Sequence, residues 1–399
     1  MPSDAAVLKK AQALEIRLPT ADRRVAAYRM GAPSPYPAVA SGPFNRVAFA
    51  AAHVVADPLA AGDPWLTASI DWEATIAFRQ NLWALGLSVA EAMDTAQRGM
   101  GLDWPNALEL IRRSAAAARA EGHRMLASGA GTDHLDPAAA KSIDDVIRAY
   151  EEQFEAIEAA GSPIILMASR ALVRVARSAD DYLRVYDRLL TQAREPVIIH
   201  WLGDMFDPQL AGYWGSNDIP TAMATALKAI RAHPKKVAGI KISLLDAARE
   251  IEMRGQLPDG VRMLSGDDFN FAELIAGDAK GHSDALLGIF DAIAPAASAA
   301  LSKLAKGDED GFHEILAPTV PLSRLIFAAP TRFYKTGIVF LAWLNGHQNH
   351  FTMVGGQESA RSILHLAEVF RLADRARLFS DPALAAARMR HLLATHGIA

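Results

Sequence analysis

Residues 237–246 read VAGIKISLLD, a short and largely apolar stretch with a single lysine in its interior. Apolar residues on both faces are typical of a buried strand in a parallel sheet. Because strand side chains alternate, we expect one face to consist of Val237, Gly239, Lys241 and Ser243 and the other of Ala238, Ile240 and Ile242. The second face is wholly apolar and should pack against helices. Lys241 is therefore predicted to point to the other side of the sheet.

Seven further runs have the same character, and amphipathic segments separate them. The eight predicted strands in chain order are 46–55, 87–93, 124–128, 163–168, 196–202, 237–243, 261–265 and 284–289. Asp71 and Asp103 stand where the following helices need N-caps, and Gly86 and Gly122 stand where those helices should end. Alternation of this kind predicts a parallel sheet with helical crossovers, and eight units favour a closed (β/α)8 barrel. An open dinucleotide-binding sheet is less favoured, because no G-x-G-x-x-G follows the first strand.

The chain is expected to divide into three parts. Residues 1–45 are predicted as an N-terminal arm and Pro/Gly linker, 46–295 as the barrel, and 296–399 as a helical extension. The strand pattern ends at Pro295, and the remaining sequence predicts about four helices.

Composition restricts the partners. The 41 basic and 45 acidic residues give a formal charge of -4 without a basic stripe, which argues against nucleic acid. The chain has no cysteine, so disulfides, thiolate catalysis and cysteine-ligated zinc are excluded. We find neither a signal peptide nor an apolar stretch long enough to span a membrane. A small-molecule substrate and a cytoplasmic location are therefore expected.

Lys241 is the strongest candidate for chemistry. A lysine inside a barrel is costly to keep charged, and desolvation favours the neutral amine that a Schiff-base nucleophile requires. The alternative is a lysine near the strand end that extends to solvent or pairs with a carboxylate such as Asp267. The strand alone leaves both interpretations open.

Several segments in order resemble the dihydrodipicolinate synthase / N-acetylneuraminate lyase family, as a divergent branch of unknown function. They are VAGIKIS and the stretches at 45–74, 86–114, 261–268 (VRMLSGDD), 285–295 (ALLGIFDAIAP) and 333–346 (FYKTGIVFLAWLNG). The resemblance implies that Lys241 forms an imine with a 2-oxo acid, for which a sugar-derived compound is one candidate. It also implies a class I aldolase-type lyase that needs no organic cofactor or metal and assembles as a homodimer or homotetramer.

The chain departs from that family at its substrate loop and proton relay. Where the family has Gly-Thr-Thr-Gly-Glu after the second strand, this chain has residues 94–98, DTAQR. Thr95 is expected to contact the substrate carboxylate. Arg98 is a candidate contact for a carboxylate or a phosphate, and the alternative is an arginine that faces solvent. His200 occupies the place of the family's relay tyrosine and is predicted to transfer protons. Met205 replaces an arginine that recognises an amino-acid semialdehyde, so that substrate is not expected.

Other candidate substrate contacts follow predicted strands at the catalytic end of a barrel. Gly266 should allow close approach of the backbone to the substrate, and the further candidates are Asp133, His134, Asp267 and Trp201. Trp201, Tyr213 and Trp214 are possible stacking partners for a sugar, although such residues more often pack in a core.

Two alternatives remain at this stage. One is a metal-assisted sugar isomerase, epimerase or hydrolase, with candidate ligands His134, His200, Asp204, Asp207 and Asp267. No tight ligand motif supports it. The other is a non-catalytic small-molecule binding protein on the same fold.

Overall fold

The computed structural model describes residues 14–122 and 125–398, apart from the side chains of residues 95 and 96. Its first element is an antiparallel hairpin of β1 (Glu15–Pro19) and β2 (Val25–Arg29). The hairpin packs on the C-terminal part of the chain, where the Tyr28 hydroxyl donates to Asp374 at 2.8 Å. The predicted division into arm, barrel and extension stays a prediction.

Eight parallel strands close into a barrel, as the sequence predicts. They are β3 (Ala48–Ala51), β4 (Ser88–Glu91), β5 (Leu126–Ala130), β6 (Ile164–Leu166), β7 (Val197–Leu202), β8 (Val237–Ser243), β9 (Arg262–Ser265) and β10 (Asp284–Leu287). Each lies within or overlaps its predicted run. The predicted start of the third run, at residue 124, lies outside the described residues. Strand β10 pairs with β3 and completes the ring.

Ten helices lie between the barrel strands or directly after the last one. They are α1 (Trp72–Ala84), α2 (Thr95–Arg98), α3 (Trp104–Ala120), α4 (Ile143–Ala160), α5 (Arg170–Val175), α6 (Ala179–Gln192), α7 (Ile219–Ala232), α8 (Ala247–Arg254), α9 (Phe271–Ala276) and α10 (Ile289–Ala292). Asp71 and Asp103 cap α1 and α3, as predicted, by accepting from backbone N–H groups in the first turn.

The C-terminal part contains more helices than the sequence predicts. Six follow one another: α11 (Ala294–Leu304), α12 (Glu309–Leu316), α13 (Val320–Ile326), α14 (Tyr334–Leu344), α15 (Ile363–Arg375) and α16 (Pro382–Thr395). Pro295 does not end the preceding element but lies in the first turn of α11, where the missing N–H costs no helical hydrogen bond. Helix α14 is buried at every position and forms the centre of this extension.

The two faces of the barrel strands pack in separate layers. Inward-facing residues form a compact cluster of Phe49, Ala51, Ala90, Met93, Ala127, Ile165, Met167, Ile198, Leu264 and Leu286. Outward-facing residues join the helices in a much larger core. The catalytic ends of the strands therefore open above a filled interior, as in other barrels of this type. In the described part of the chain, no helix combines the length and apolar character needed to cross a membrane.

Glu250 links helix α8 to strand β9, where the Ser265 hydroxyl donates to its carboxyl group at 3.1 Å. Burial raises the pKa of Glu250 from 4.5 to about 8. Between about pH 4.5 and pH 8, the Glu250 carboxyl group therefore keeps its proton in the folded protein, whereas it has released it in the unfolded chain. The contribution of Glu250 to stability is complete below that window and falls as the pH rises through it.

We predict that Glu250→Gln removes this loss of stability, because the amide stays neutral at every pH. The variant should match the wild type near the lower end of the window and exceed its melting temperature increasingly towards pH 8. Thermal unfolding over this range measures the effect, and Glu252→Gln at an exposed position of the same helix is the control. Parallel wild-type and Glu250→Gln profiles would contradict the prediction.

Candidate active site

Lys241 lies on the inner face of β8, but the alternation that leads to it is interrupted. Val197 of β7 pairs with Val237, whereas the next residue, Ile198, pairs with Gly239. One extra residue is therefore inserted at Ala238, as in a β-bulge. The predicted sides of the first two residues are wrong, because Val237 packs in the outer core and Ala238 contacts the inner cluster. After the bulge the predicted alternation applies.

A small cavity surrounds the lysine at the catalytic end of the barrel. Its volume is about 20 Å³, and it is partly open to solvent. It is lined by Met93, Asp94, His200, Leu202, Phe206, Lys241, Ser243, Asp268, Gly288, Arg332 and Tyr334. Most of these residues lie on or just after barrel strands, but the last two come from the C-terminal extension.

The Lys241 amine is buried and has a lowered pKa. The residue is 6% exposed, and its side chain makes no hydrogen bond or ion pair with any described residue. Burial lowers the pKa of Lys241 from 10.5 to about 8, although Asp268 and Asp94 oppose the shift. The positive charge of Lys335 adds to the lowering. The fraction of neutral amine near neutral pH is therefore much larger than for an ordinary lysine, although most of the amine is still protonated.

Asp268, and not the predicted Asp267, is the carboxyl group that faces Lys241. Asp267 accepts hydrogen bonds from the backbone of Phe269 and Asn270 and thereby closes the turn after β9. Asp268 lines the cavity and accepts one from the Ile289 backbone N–H at 2.9 Å. Burial raises the pKa of Asp268 to about 7, so this carboxyl group can hold or release a proton near neutral pH.

The C-terminal extension supplies the second buried lysine of this region. Lys335, on α14, places its Nζ 2.7 Å from the Asp94 carboxylate and donates to the Ala51 carbonyl at 2.6 Å. The preceding Tyr334 lines the cavity and stacks on Phe327, with ring centroids 4.3 Å apart. Sequence reasoning missed these residues because they lie beyond the barrel. The lysine inside the otherwise apolar run FYKTGIVFLAWL was the available signal.

His200 lies in the cavity, where the family resemblance implies a proton relay. Its Nε2 is 3.3 Å from the Ser243 hydroxyl, and its buried Nδ1 has no hydrogen-bond partner among the described residues. Burial, together with the charge of Lys241, holds the pKa of His200 well below its usual value. The imidazole is therefore neutral at physiological pH.

Arg98 is occupied by structural hydrogen bonds and has no free donor for a substrate. It forms a bidentate ion pair with Asp133 and donates to the carbonyls of Ala92 and Gly129 and to the Gln153 side chain. These contacts use all five guanidinium N–H groups. Although burial opposes it, Arg98 holds the pKa of Asp133 below its usual range. The expected substrate contacts of Arg98 and Asp133 are therefore not found.

The remaining predicted contacts have other positions. Trp201 follows His200 on the strand, points to the outer core and packs near Trp214, so its expected substrate contact is wrong. His134 hydrogen-bonds Gln153 and does not line the Lys241 cavity. At Gly266 a Cβ atom would lie 2.8 Å from Lys241 Cε and closer still to Ser243, so this glycine makes room for the lysine itself. The Thr95 side chain lies outside the described residues.

The proposed metal ligands do not come together. Within residues 14–122 and 125–398, no three histidine or acidic side chains are grouped so that they could hold a metal ion. Asp207 instead accepts a hydrogen bond from Arg170, and Asp267 is used in its own turn. The geometry gives no support to the metal-assisted alternative.

Solved structures share this fold over most of their length. Similar chains include dihydrodipicolinate synthase from Aquifex aeolicus (12% identity, 88% of this chain and 98% of that one, TM-score 0.58). A second is 4-hydroxy-tetrahydrodipicolinate synthase from Methylacidiphilum fumariolicum SolV (13% identity, 87% of this chain and 99% of that one, TM-score 0.61). A third is a prophage protein of the dihydrodipicolinic acid synthase family from E. coli K12 in complex with pyruvate (13% identity, 89% of this chain and 99% of that one, TM-score 0.60).

These similarities confirm, at the level of fold, the resemblance predicted from the sequence. The chain therefore has a (β/α)8 barrel fold that solved dihydrodipicolinate synthase structures share. Residues 16–398 match the family described as "Protein of unknown function (DUF993)", and the chain belongs to that family. No curated protein matches the sequence.

We predict that Lys335→Met raises the pKa of Lys241, because it removes a nearby cation that also balances the charge of the Asp94 carboxylate. Mass-spectrometric measurement of Lys241 acetylation by acetic anhydride, as a function of pH, gives the midpoint. The double variant Asp94→Asn/Lys335→Met is the control, since it removes both charges and should return the midpoint towards the wild-type value. An unchanged midpoint in the single variant would exclude this role of Lys335.

Proposed function

We propose that this protein is a class I aldolase-type lyase in which the Lys241 amine forms an imine with a 2-oxo acid. The observation that carries the proposal is a buried lysine with a lowered pKa inside a small cavity at the catalytic end of the barrel. A neutral amine is the nucleophile that this chemistry requires. The narrow site around Lys241 favours a substrate whose reacting end is short, as in pyruvate.

Imine formation consumes one proton and releases one water molecule. The Lys241 Nζ attacks the carbonyl carbon, and a proton moves from nitrogen to the former carbonyl oxygen. Protonation of the resulting hydroxyl then expels water and leaves the protonated imine. Asp268 is the group suited to supply this proton, because its pKa is raised to about 7 and it lines the same cavity.

The protonated imine then accepts the electron pair of an adjacent bond. Cleavage of a C–C bond releases a carbonyl fragment and leaves an enamine, which is protonated at carbon before the imine is hydrolysed. On the dehydration route, loss of a proton gives the enamine, which takes up a proton on a neighbouring hydroxyl group and expels it as water. The proton released from the substrate needs an acceptor, and neutral His200 beside Ser243 is the candidate relay. A buried, neutral imidazole can pass a proton on without holding it.

The proposal of a sugar-derived 2-oxo acid has less support than the imine. Trp201, Tyr213 and Trp214 were its expected stacking partners, but they are buried in the outer core. Met205 is 39% exposed and does not line the cavity, which is consistent with a substrate other than an amino-acid semialdehyde. We therefore propose a short 2-oxo acid as the imine-forming reactant, in the cytoplasm.

We predict that both Lys241→Arg and Lys241→Ala lose turnover by on the order of 10³-fold or more, because neither side chain can form an imine. Borohydride reduction in the presence of pyruvate and other 2-oxo acids should add the mass of the reduced substrate to the wild type and to neither variant. Lys228→Arg, at a lysine 70% exposed on α7, is the matched control and should still be labelled. Substantial activity in Lys241→Arg would show an electrostatic role in place of a covalent one.

We also propose that the protein is a homodimer or homotetramer, as the family resemblance implies. The loop between β3 and α1 exposes Leu59 (91%), Trp65 (72%) and Leu66 (83%), which are apolar residues suited to a contact between subunits. Light scattering at micromolar concentration should give a mass of two or four chains. A mass of one chain would refute the proposal.

A further inference from the structure

We propose that Arg332, from the C-terminal extension, binds the carboxylate of the substrate and thereby selects acidic carbonyl compounds for Lys241. This inference rests on the proposed imine chemistry and names a residue that determines its specificity. The family's threonine-rich loop is replaced in this chain by residues 94–98, where one threonine of the family's pair is absent. Arg332 lines the same cavity as Lys241.

Apart from Lys241 itself, Arg332 is the cation with free donors among the described residues that line this cavity. Lys335 is occupied by Asp94 and Ala51, and Arg98 uses all of its donors within the protein. The Arg332 guanidinium stacks over the Phe333 ring at 4.9 Å and makes no hydrogen bond or ion pair with any described residue. A planar guanidinium matches a carboxylate with two parallel hydrogen bonds.

The charges around the cavity leave one positive charge unbalanced. Lys335 neutralises Asp94, and Lys241 with Asp268 is neutral overall whether the proton resides on the amine or on the carboxyl group. Arg332 adds a charge of one, which matches a substrate with a single carboxylate. Arg332 is exposed, so water solvates its charge when no carboxylate is bound, and a neutral ketone would gain no charged contact from it.

The backbone that carries Arg332 is held on both sides. On the N-terminal side, Arg361 donates hydrogen bonds to the carbonyls of Ala328 and Pro330 at 2.6 and 3.1 Å. On the C-terminal side, Tyr334 is fixed by its stacking on Phe327. Residues Thr331–Phe333 form a short 3-10 helix between these anchors. The side chain is therefore presented to the cavity from a rigid segment, as specific recognition requires.

The test compares an acidic with a neutral carbonyl compound. Borohydride trapping is measured against pyruvate and against hydroxyacetone, in the wild type and in Arg332→Gln, Arg332→Lys and the control Arg375→Gln at an exposed position of α15. We expect Arg332→Gln to raise the half-saturating pyruvate concentration about 10- to 100-fold, the range for a hydrogen-bonded charged group. Hydroxyacetone should change less than ~2-fold, since it makes no charged contact. Arg332→Lys should lie between wild type and Arg332→Gln.

The outcomes separate this inference from the proposed function. If the wild type traps pyruvate and Arg332→Gln traps it with the same half-saturation, the role of Arg332 is excluded while the imine chemistry stands. If Arg332→Gln weakens both compounds equally, Arg332 maintains the cavity and is not a carboxylate-binding residue. If the wild type traps neither compound, the imine function fails. Calorimetric binding of pyruvate to Lys241→Ala, with and without Arg332→Gln, then decides the role of Arg332 without the covalent step.

Discussion

The buried ion pair between Lys335 and Asp94 joins the C-terminal extension to the barrel, and the active-site geometry depends on it. Lys335 belongs to α14, whereas Asp94 follows β4, and their charged atoms are 2.7 Å apart with almost no exposure to solvent. Breaking such a pair is strongly unfavourable, because the remaining charge stays buried without a partner. The pair therefore fixes α14 against the barrel mouth. Tyr334 and Arg332, which precede Lys335 on the chain, are positioned with it.

Further buried polar groups surround this pair. The Asp291 carboxylate is 4.0 Å from Lys335 and 2.9 Å from the His53 ring. Behind it, Arg79 and Glu91 form a second fully buried ion pair, with two contacts of 2.9 Å. Charged groups inside a protein stabilise it only when each has its partner in good geometry. These groups therefore permit one arrangement of β3, β4, α1 and α14, and they explain why a helix outside the barrel can carry residues of its cavity.

The sequence predicts features that depend on local pattern, and it fails for those that depend on pairing between distant residues. Apolar runs and caps such as Asp71 predict the eight strands and the barrel correctly. The bulge at Ala238 depends on the register of β8 with β7, for which the sequence of β8 gives no signal. Which of Asp267 and Asp268 faces Lys241 depends on the geometry of the turn after β9, which the two adjacent aspartates do not reveal. Arg98 has the right chemistry for a carboxylate, but its partners in the fold already satisfy it. Trp201 is different, because alternation after His200 was sufficient to assign it to the outer core.

The dependence of the cavity on α14 also has a temporal consequence. During synthesis the N-terminal part of a protein leaves the ribosome first and folds before the rest. The lysine of β8 would then be present in a partly folded barrel before Arg332, Tyr334 and Lys335 have emerged. Until they arrive, Lys241 lacks the neighbouring cation that adds to the lowering of its pKa and two of the residues that line its cavity. The environment that sets the protonation of this lysine is therefore complete only when the extension has docked.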